Sequence, residues 1–416
     1  MNKPLRIMLL MAKTGGGHGA VADAIAQTLK QLYGDAVEPR VADGLRDFAP
    51  FPFVLIETTY PLQVKLGGDG YGMAWRVLND AVRAKRLMKS TWPFVRSAVL
   101  DIVAQPVDAI VAVHPLFVYP CLWAMHRTGR RLPFITMVSD LIVVHALWCD
   151  PGTDSMLVPT TTSRGYAIQH GVPAQKIRVT GMPIRPQFAE PIEPRPAARA
   201  RLGLQVDKRA VLLMGGGDGL GNLGEIVRAI GFSGLDVQMI VVAGRNEKLR
   251  KQFAETEWPI PTRIYGFTQE IPSLMNAADV LISKAGPTTV AEALARELPT
   301  ILSGFIPTQE EENVTYLVDA GAGVLAEEPD RIVGVLRSWL SDHGQTLARM
   351  SAAARAAARP RAAFDAAEAI YTTARDTPVI VQPPRREPLL AALERFLGTD
   401  GVVDYLKEGV YNRRRR

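Results

Sequence analysis

The sequence has very little cysteine and no long apolar run. Only two of its 416 residues, Cys121 and Cys149, are cysteines. Two cysteines are too few for a disulfide framework and lack the spacing of a metal site, so we expect a reducing compartment. No apolar run approaches the roughly 18 residues that a membrane-spanning helix needs. The short apolar run near the N-terminus is not followed by a small-residue cleavage site, which disfavours a secretory signal peptide.

Two common motifs of phosphate and metal chemistry are also missing. Neither of the two glycine clusters is followed by Lys-Ser or Lys-Thr, which excludes a Walker P-loop. The chain has no Asp-x-Asp motif and no cluster with metal-ligand spacing, so we predict chemistry without a metal or other cofactor. Apolar residues make up 47% of the chain, which is enough for the cores of two ordinary domains.

The positive charge of the chain is unevenly placed. The formal net charge of the chain is +6. Residues 1–190 hold 20 Lys and Arg against 14 Asp and Glu, so they account for the whole excess of positive charge. Basic residues beside aromatic ones can dock on an anionic membrane surface, although a run of charge is more often a solvated helix face. The balanced charge elsewhere and the missing recognition motifs argue against nucleic acid. The basic cluster consists of Arg83, Lys85, Arg86, Lys89 and Arg96, around Trp92 and Phe94.

Short apolar runs alternate with helical patterns along the chain, as over 20–31, where apolar residues recur at helical spacing. This alternation predicts parallel sheets covered by helices on both faces, in two halves of one architecture. A proline-rich stretch over 183–196 separates the halves and indicates a linker. The predicted strands lie near 5–11, 38–42, 108–113, 133–139, 155–158 and 177–180, and then near 210–214, 237–242, 262–265, 279–282, 300–303 and 323–325.

The carboxyl ends of these strands select the candidate site residues, because ligands of open parallel sheets bind there. Two glycine clusters, 15–19 and 215–219, follow the first strand of each half and open a helical pattern. Glycine lets backbone amides approach an oxyanion closely, and the helix start adds the positive end of a dipole. Other polar residues that follow predicted strands are His114, Asp140, His145, Lys284, Gln309, Glu310 and Asn313.

The segment 284–292 is the sharpest local signal. A strand ends there, a Gly-Pro turn follows, and a helix begins near Thr288. Proline and threonine at a helix start are also ordinary capping chemistry. The functional interpretation places a pyrophosphate on the amides of Gly286, Thr288 and Thr289, and lets Glu292 accept hydrogen bonds from ribose hydroxyls.

His18, inside the first glycine turn, is the candidate general base. An imidazole beside the positive end of a helix stays neutral more readily and can accept a proton, although His18 can also simply brace the turn. Asp140 either orients that base or caps a helix. His145 and Trp148 belong to the site or only pack in the core.

The first glycine turn also matches a dinucleotide-binding fingerprint, with Ala20 in the last position and Asp43 after the second strand. His18 would crowd a dinucleotide there, and the fingerprint leaves the second glycine cluster unexplained. An NAD-dependent oxidoreductase is therefore the alternative from another class of enzyme.

Taken in order, these motifs resemble those of monogalactosyldiacylglycerol synthases and diacylglycerol glucosyltransferases, which are similar in turn to the glycosyltransferase MurG. The resemblance covers about residues 5–340. It rests on Thr14-Gly-Gly-Gly-His18-Gly-Ala, Val113-His-Pro-Leu116, Ser139-Asp140 with His145 and Trp148, Gly181-Met-Pro-Ile-Arg-Pro-Gln-Phe188, Leu213-Met-Gly-Gly-Gly-Asp-Gly219, Lys284-Ala-Gly-Pro-Thr-Thr-Val-Ala-Glu-Ala293, and Gln309-Glu310 with Asn313.

The resemblance implies a GT-B fold, in which two Rossmann-like doubly wound domains enclose a cleft. It implies an inverting transfer of galactose from UDP-galactose to the free hydroxyl of diacylglycerol, with His18 and Asp140 as catalytic residues. In the second domain it assigns the phosphates and ribose to the 284–292 turn, uracil to Phe267, and the hexose to Gln309 and Glu310. The full donor set is Gly216, Gly217, Phe267, Lys284, Gly286, Pro287, Thr288, Thr289, Glu292, Gln309, Glu310 and Asn313.

The resemblance places the lipid acceptor on the first domain, with residues 50–100 facing the membrane. An anionic phospholipid is the expected activator, and no nucleic-acid partner is expected. The protein is then peripheral, on the cytoplasmic face of a membrane. The acceptor and anionic-lipid set is Gly17, His114, His145, Trp148, Arg83, Lys85, Arg86 and Lys89.

The corresponding domains are an N-terminal acceptor domain (1–185), a linker (186–200), a C-terminal donor domain (201–345), and a C-terminal helix with a basic tail (346–416). Three alternatives stay open: a UDP-glucose enzyme that adds one or more sugars, a MurG-type UDP-GlcNAc enzyme, and a non-catalytic lipid-binding module. The oligomeric state is left open. One departure from the plant members is Thr308-Gln-Glu-Glu-Glu-Asn313, where they have Gly-Gln-Glu-Ala-Gly-Asn.

Overall fold

The fold was analysed in a computed structural model of the chain. The structure describes residues 3–13, 17–49, 55, 77–215 and 222–382. Of the predicted acceptor segment 50–100, residues 50–76 lie outside the described residues except for Leu55, as do residues 14–16 and 216–221 of the two glycine turns and the tail beyond 382.

The first half is built on a parallel sheet of six strands. They are β1 (Leu5–Met11), β2 (Val37–Asp43), β3 (Ala109–Ala112), β5 (Phe134–Met137), β6 (Ser155–Val158) and β7 (Ile177–Val179), in the spatial order β2-β1-β3-β5-β6-β7. Strands β1, β3 and β5 are almost completely buried, as expected for apolar runs covered on both faces. The strand order changes direction between β1 and β3: β2 lies on one side of β1, and β3 and the later strands lie on the other. A ligand crevice forms at such a switch point in open parallel sheets.

The second half repeats this architecture. Its strands are β8 (Arg209–Met214), β9 (Val237–Val242), β10 (Thr262–Tyr265), β11 (Val280–Ser283), β12 (Thr300–Leu302) and β13 (Gly323–Leu325), in the order β10-β9-β8-β11-β12-β13. This is the dinucleotide-fold order 3-2-1-4-5-6, and its switch point lies between β8 and β11. Each of the twelve predicted strands is present, with ends that differ by at most two residues from the prediction, and the two-domain fold is confirmed.

Helices cover both faces of the two sheets. Those of the first half are α1 (Gly17–Tyr33), α2 (Ala81–Ala104), α3 (Val118–Thr128) and α4 (Thr161–Gln169). They are followed by α5 (Arg195–Arg201), α6 (Leu223–Gly231), α7 (Glu247–Ala254), α8 (Ile271–Ala277), α9 (Pro287–Ala295), α10 (Glu311–Asp319), α11 (Pro329–Leu340), α12 (Gln345–Ala357) and α13 (Ala362–Asp376).

The chain returns to its first half at the C-terminal end of the described region. Helix α13 packs on α1, where the rings of Tyr33 and Tyr371 stack with centroids 3.8 Å apart. Gly181 makes room for this return, because a Cβ atom there would lie 2.7 Å from the Cβ of Ala362, and its φ of +91° also favours glycine. A short antiparallel pair then joins β4 (Arg130–Arg131) to β14 (Ile380–Val381), which the sequence patterns do not predict.

One hydrophobic core is shared by the two halves. It includes Leu9 and Ile25 from the first half and Leu212 and Val290 from the second, all almost fully buried. Two further cores lie under α2 and α3 in the first half and under α6 and α11 in the second. The shared core brings the carboxyl ends of both sheets to one cleft.

Candidate active site

His18 lies at the start of α1, directly beyond the carboxyl end of β1. Its Nδ1 atom is 2.6 Å from Ser139 Oγ, which follows β5. The ring of His114, beyond the end of β3, lies with its centroid 4.5 Å from that of His18 at an interplanar angle of 60°. The ends of three neighbouring strands therefore converge on one imidazole that keeps part of its surface exposed.

The surroundings of His18 keep its ring neutral. Burial lowers the pKa of His18 to about 4, and a hydrogen bond to the carbonyl of Val113 only partly offsets this effect. The pKa of His114 is also lowered well below its usual value, by burial and by the neighbouring His18. A neutral imidazole has a lone pair that can accept a proton, so His18 is chemically able to act as a base near pH 7.

His114 and His145 both cap short 3₁₀ turns. His114 Nδ1 accepts from the amide of Leu116 at 3.3 Å, and His145 Nδ1 accepts from the amide of Leu147 at 3.1 Å. An accepting Nδ1 places the ring proton on Nε2 in the neutral form. His145 is completely buried, so in this structure it shapes the loop after β5, and its role in lipid binding stays a prediction.

Asp140 and Trp148 form a pair beside this group. Trp148 Nε1 donates to Asp140 Oδ2 at 2.6 Å, and the centroid of the Trp148 ring lies 6.2 Å from that of His18. Burial raises the pKa of Asp140 to about 6; the indole hydrogen bond lowers it, and the negative charge of Glu310 raises it further. Glu310 belongs to the second half, so charges from both halves of the molecule act on Asp140.

The bend between β11 and α9 forms the opposite wall. Helix α9 begins with Pro287 directly after Gly286, as the Gly-Pro signal predicts. The amide of Gly286 donates to the carbonyl of Lys284 at 2.8 Å, so it is already engaged. Thr288 and Thr289 are in the first helical turn, where amides have no intrahelical acceptor. The amides available to an anion are therefore those of the two threonines.

Lys284 adds a positive charge to this bend. Its Nζ atom lies 3.6 Å from the position that a Cβ atom on Gly286 would take, and it is 2.5 Å from Glu310 Oε1. Glu310 also accepts from the amide of Ile306 through Oε2 at 2.8 Å. The ammonium thus lies beside the helix start, paired with Glu310, and a helix start is itself suited to a negatively charged group such as a diphosphate.

Asn313 braces the bend from behind. It is buried, and its Nδ2 atom donates to the carbonyl of Ala285 at 3.0 Å. Its amide donates to the carbonyl of Glu310, so α10 and the 284–289 bend are tied together. Asn313 therefore stabilises the conformation of the 284–289 bend. Its contact with a sugar donor stays a prediction.

The loop before α10 carries backbone strain. Thr308 has a φ of +68°, a left-handed conformation that a β-branched residue rarely adopts. Its Oγ1 atom is buried, and no hydrogen-bond partner is found for it among the described residues. The loop that leads to Gln309 and Glu310 is thus held in a conformation that glycine would adopt without strain.

Glu292 lies on α9, one turn after the bend, and Phe267 follows β10. Burial raises the pKa of Glu292 to about 7, and the positive charge of Arg185 lowers it in part. The ring of Phe267 is 54% exposed, and the guanidinium of Arg245 stacks on it at 4.5 Å from the centroid. An exposed aromatic ring with a cation on one face is a suitable platform for a flat heterocycle.

The two walls are joined by direct contacts. Tyr166, on α4, donates from its hydroxyl to Glu312 Oε1 at 2.6 Å, across the cleft. Arg185 donates to the carbonyl of Gln269 at 3.2 Å, close to Glu292. Tyr166 was not predicted as a site residue, and Ser139 and Arg185 stood inside quoted motifs without a predicted role, because no local pattern shows which distant residues they meet.

The four basic residues predicted to contact lipid lie on the solvent face of α2. Gly17, also predicted to contact the acceptor, is the first residue of α1. Arg83, Lys85, Arg86 and Lys89 are all exposed. The segment 81–100 contains no Asp or Glu, so nothing on this helix neutralises them until Asp101. Lys85 also lies over the ring of Tyr119, 5.3 Å from its centroid.

Three further features bear on the wider class of the protein. In the part of the chain that the structure describes, no helix is both long enough and apolar enough to cross a membrane. Among the same residues, no three His, Cys, Asp or Glu side chains are grouped so that they could hold a metal ion. Cys121 and Cys149 are free thiols.

Comparisons with known proteins agree with this geometry. Residues 18–184 match the family model of monogalactosyldiacylglycerol (MGDG) synthase, and residues 210–368 match that of the glycosyltransferase family 28 C-terminal domain. The solved structure of Acinetobacter baumannii MurG superposes with a TM-score of 0.56 at 18% identity, over 89% of this chain and all of that one. Anabaena Alr3699/HepE, solved with UDP and glucose, superposes with a TM-score of 0.53 at 16% identity, over 90% of this chain and all of that one. These two neighbours confirm the GT-B fold.

Sequence relatives identify the family. A probable MGDG synthase of Glycine max is 35% identical over 376 residues, which cover 87% of this chain and 70% of that protein. MGDG synthase 2 of Arabidopsis thaliana is 33% identical, over 86% of this chain and 79% of that protein. Both relatives are described as chloroplastic. The resemblance seen in the motifs is thereby confirmed, and the chain belongs to the monogalactosyldiacylglycerol synthase family.

Proposed function

We propose that this protein is an inverting glycosyltransferase that moves galactose from UDP-galactose to the free hydroxyl of 1,2-diacylglycerol, giving monogalactosyldiacylglycerol. The observation that carries the proposal is the pairing of two sites in one cleft. A neutral, partly exposed His18 stands at the switch point of the first sheet, and the 284–289 bend, with its helix start and the Lys284–Glu310 ion pair, stands at that of the second. Family membership supplies the two substrates.

The reaction is a single in-line displacement. The lipid hydroxyl oxygen attacks the anomeric carbon, and the bond from that carbon to the diphosphate oxygen breaks, so that UDP leaves with the electron pair. His18 accepts the proton of the hydroxyl as the new glycosidic bond forms. Attack from the face opposite the leaving group inverts the configuration. The Asp140 carboxylate, held by Trp148, stabilises the imidazolium that His18 becomes.

The leaving diphosphate is stabilised by groups that are already in place. The amides of Thr288 and Thr289 and the ammonium of Lys284 point at the position where negative charge develops, so little reorganisation is needed. We assign Gly216 and Gly217 to the same phosphates, Glu292 to the ribose, Phe267 to uracil, and Gln309 and Glu310 to the hexose. This arrangement predicts transfer without a metal ion. We therefore expect EDTA to leave the activity unchanged.

The same proposal makes the protein peripheral, bound to the cytoplasmic face of an anionic membrane. Support comes from the exposed cations of α2 and from Phe94 on the same helix, which is 64% exposed. An anionic phospholipid is then a natural activator, because it concentrates the enzyme at the surface where its acceptor lies. His114 and Trp148, beside His18, are the residues we assign to contact with such a lipid.

The test offers purified protein diacylglycerol in vesicles that contain phosphatidylglycerol, with UDP-galactose, UDP-glucose or UDP-GlcNAc in separate reactions. The proposal expects a β-monogalactosyl lipid, identified by mass spectrometry and the anomeric proton coupling, and much slower reaction with the other donors. If the dominant product is a glucosyl lipid, the donor of this enzyme is UDP-glucose and not UDP-galactose. Absence of glycolipid with every donor, from protein that binds UDP, would overturn the proposal.

A further inference from the structure

The two chain segments that connect the halves lie side by side. One is the 183–196 linker, and the other is the turn at 358–361, since α12 packs on α9 of the second half and α13 packs on α1 of the first. A Cβ atom on Gly181, just before the linker, would be 2.7 Å from the Cβ of Ala362 and 3.1 Å from that of Arg359. Adjacent connections of this kind let two domains rotate as about a hinge. The closed state then depends on what else joins the halves.

The hydrogen bond from Tyr166 to Glu312 joins α4 of the first half to α10 of the second. The hydroxyl donates to Glu312 Oε1 at 2.6 Å, although 146 positions separate the two residues. Arg296 of the second half, by contrast, donates to the carbonyls of Gln187 and Glu190 and so reaches only the linker. The contact of Tyr166 with Glu312 therefore joins the two halves themselves.

Tyr166 is fixed in place on the first half. Helix α4 begins with a capping box, in which the side chains of Thr160 and Ser163 each accept from the backbone amide of the other residue. Ala167, next to Tyr166, is completely buried, and the ring of Tyr166 packs against the core of the first half. The hydroxyl is thus presented from a fixed helix, so little side-chain freedom is lost when it binds an acceptor.

Glu312 is tied to the loop before α10. It lies in the first turn of this helix, where the positive end of the helix dipole stabilises a carboxylate. Two residues earlier, the amide of Glu310 donates to the carbonyl of Ile306 at 2.9 Å, and the side chain of Glu310 pairs with Lys284. The position of Glu312 therefore fixes that of the 306–310 loop.

The contact is a charge-assisted hydrogen bond. The carboxylate of Glu312 accepts from Tyr166 and, together with partial burial, raises the pKa of the phenol to about 12. The phenol therefore keeps its proton near neutral pH and remains a donor. Hydrogen bonds to a charged acceptor are about twice as strong as neutral ones. Both side chains keep part of their surface in water, so the bond can open and close.

We propose that Tyr166 and Glu312 are positioning residues that form a clasp across the cleft, which holds the 306–310 loop against the first half and so keeps the sugar in line with the base. The inference deepens the proposed function and rests on it, because this loop leads into the residues assigned to the hexose. The closed clasp also excludes water, which would otherwise attack the anomeric carbon in place of the lipid hydroxyl and release UDP and free galactose. The clasp opens when the donor enters and UDP leaves.

The variant Tyr166→Phe removes only the hydroxyl and is the first test. We expect kcat for transfer to fall about tenfold, since a small displacement of the reacting atoms costs at least this much. The ratio of donor hydrolysis to transfer is expected to rise about threefold or more, because water enters the open cleft. The affinity for UDP stays within about twofold, since the clasp acts on the sugar and not on the nucleotide. Glu312→Gln retains a neutral acceptor, so we expect a loss in kcat of only about threefold.

A double-mutant cycle tests whether the two residues act as one contact. We expect Glu312→Ala and the double variant Tyr166→Phe/Glu312→Ala to be as slow as Tyr166→Phe, because either change alone already removes the whole contact. Losses that add up in the double variant would assign the residues separate roles and overturn the clasp. The matched controls are Tyr316→Phe and Glu311→Gln, both on α10, which keep the parental kcat and the parental ratio of hydrolysis to transfer.

A distance measurement separates failure of the clasp from failure of the proposed function. Spin labels at Ser97→Cys and Ser338→Cys, exposed positions of α2 and α11, report the separation of the halves in the full-length protein, with Cys149→Ala removing the half-buried thiol. Without any substrate, Tyr166→Phe is expected to broaden the distance distribution toward longer values. An unchanged distribution overturns the clasp. If the distribution broadens but the parent transfers no sugar from any donor, the proposed function is rejected and the clasp between the halves is retained.

Discussion

Ser139 Oγ lies 2.6 Å from His18 Nδ1, although 121 positions separate the two residues in the chain. The contact joins the end of β5 to the start of α1, and it fixes the orientation of the ring that we propose as the base. His114, at the end of a third strand, packs against the same ring, with the two ring centroids 4.5 Å apart. The imidazole is thus preorganised by elements of the rigid sheet and not by loops alone.

Replacement of His18 by alanine tests this role. We expect the turnover number to fall by roughly 100-fold or more, because a positioned general base contributes that much. The affinity for UDP, measured by calorimetry, is expected to stay within about twofold of the parental value, since His18 belongs to the opposite wall of the cleft. His126→Ala, at an exposed position on α3, is the matched control and keeps full activity. Near-normal turnover in His18→Ala rejects the assignment.

The pH dependence of the reaction tests Asp140. Its pKa of about 6 lies above that of a free carboxyl, mainly because of burial, so its carboxylate is lost as the pH falls through 6. We expect kcat/KM to decrease over the same range, because the imidazolium formed in the transition state loses its counter-charge. Asp140→Asn lowers activity by about tenfold or more and abolishes this limb.

A second limb is expected near pH 4, where His18 becomes protonated and can no longer accept a proton. This limb remains in Asp140→Asn. If that variant retains the decrease near pH 6, another group is responsible for it.

We expect Glu292 to lower the stability of the folded protein and to strengthen binding of the sugar donor. Its pKa is about 7 in the folded protein against a usual value of 4.5, mainly because of burial. A raised pKa means that the favourable contribution is complete below about 4.5 and is lost as the pH rises through 7. Glu292→Gln should therefore increase the free energy of unfolding by roughly 3 kcal/mol at pH 8, since each pKa unit corresponds to about 1.4 kcal/mol, and leave it nearly unchanged at pH 4.5.

The same variant should weaken UDP binding about tenfold or more, because hydrogen bonds from ribose to a charged acceptor are lost. Urea denaturation at the two pH values and calorimetric titration give both quantities. The control is Glu311→Gln, an exposed residue at the start of α10, which changes neither. An equal gain in stability at both pH values would show that burial of the charge is not the cause.

Thr308 offers a test of backbone strain. Its φ of +68° costs about 1 kcal/mol or more for a β-branched residue, and glycine avoids this cost. We expect Thr308→Gly to stabilise the second half by about 1 kcal/mol in urea denaturation. Thr315→Gly, at an exposed position inside α10, is the control and destabilises by a few tenths of a kilocalorie. Destabilisation by Thr308→Gly would mean that the buried hydroxyl has a partner that matters more than the strain.

The sequence predicts the fold well because strand and helix periods are local signals. The apolar run of β1, the glycine turn and the amphipathic pattern of α1 all agree with one structure, and the repeat of this unit after β8 predicts the second sheet. Strand-end positions such as His18, His114 and Lys284 follow from the same topology, since parallel strands point their carboxyl ends in one direction.

Contacts between distant segments are not predictable in this way. The pairing of β14 with β4 joins two-residue strands about 250 positions apart, and so short a strand has no period to detect. The hydrogen bond of Tyr166 with Glu312 depends on how the two sheets are placed, and the ion pair of Lys284 with Glu310 depends on the path of the loop after β12. The engaged amide of Gly286 is likewise a detail of turn geometry, which residue types alone do not fix.

A crystal structure of the protein with bound UDP tests the central claim most directly. The account predicts that the diphosphate lies at the first turn of α9, accepts hydrogen bonds from the amides of Thr288 and Thr289, and is within contact of the Lys284 ammonium. The uracil lies against Phe267, and His18 faces the empty sugar site across the cleft. A diphosphate bound instead at the glycine turn before α1 would contradict the account.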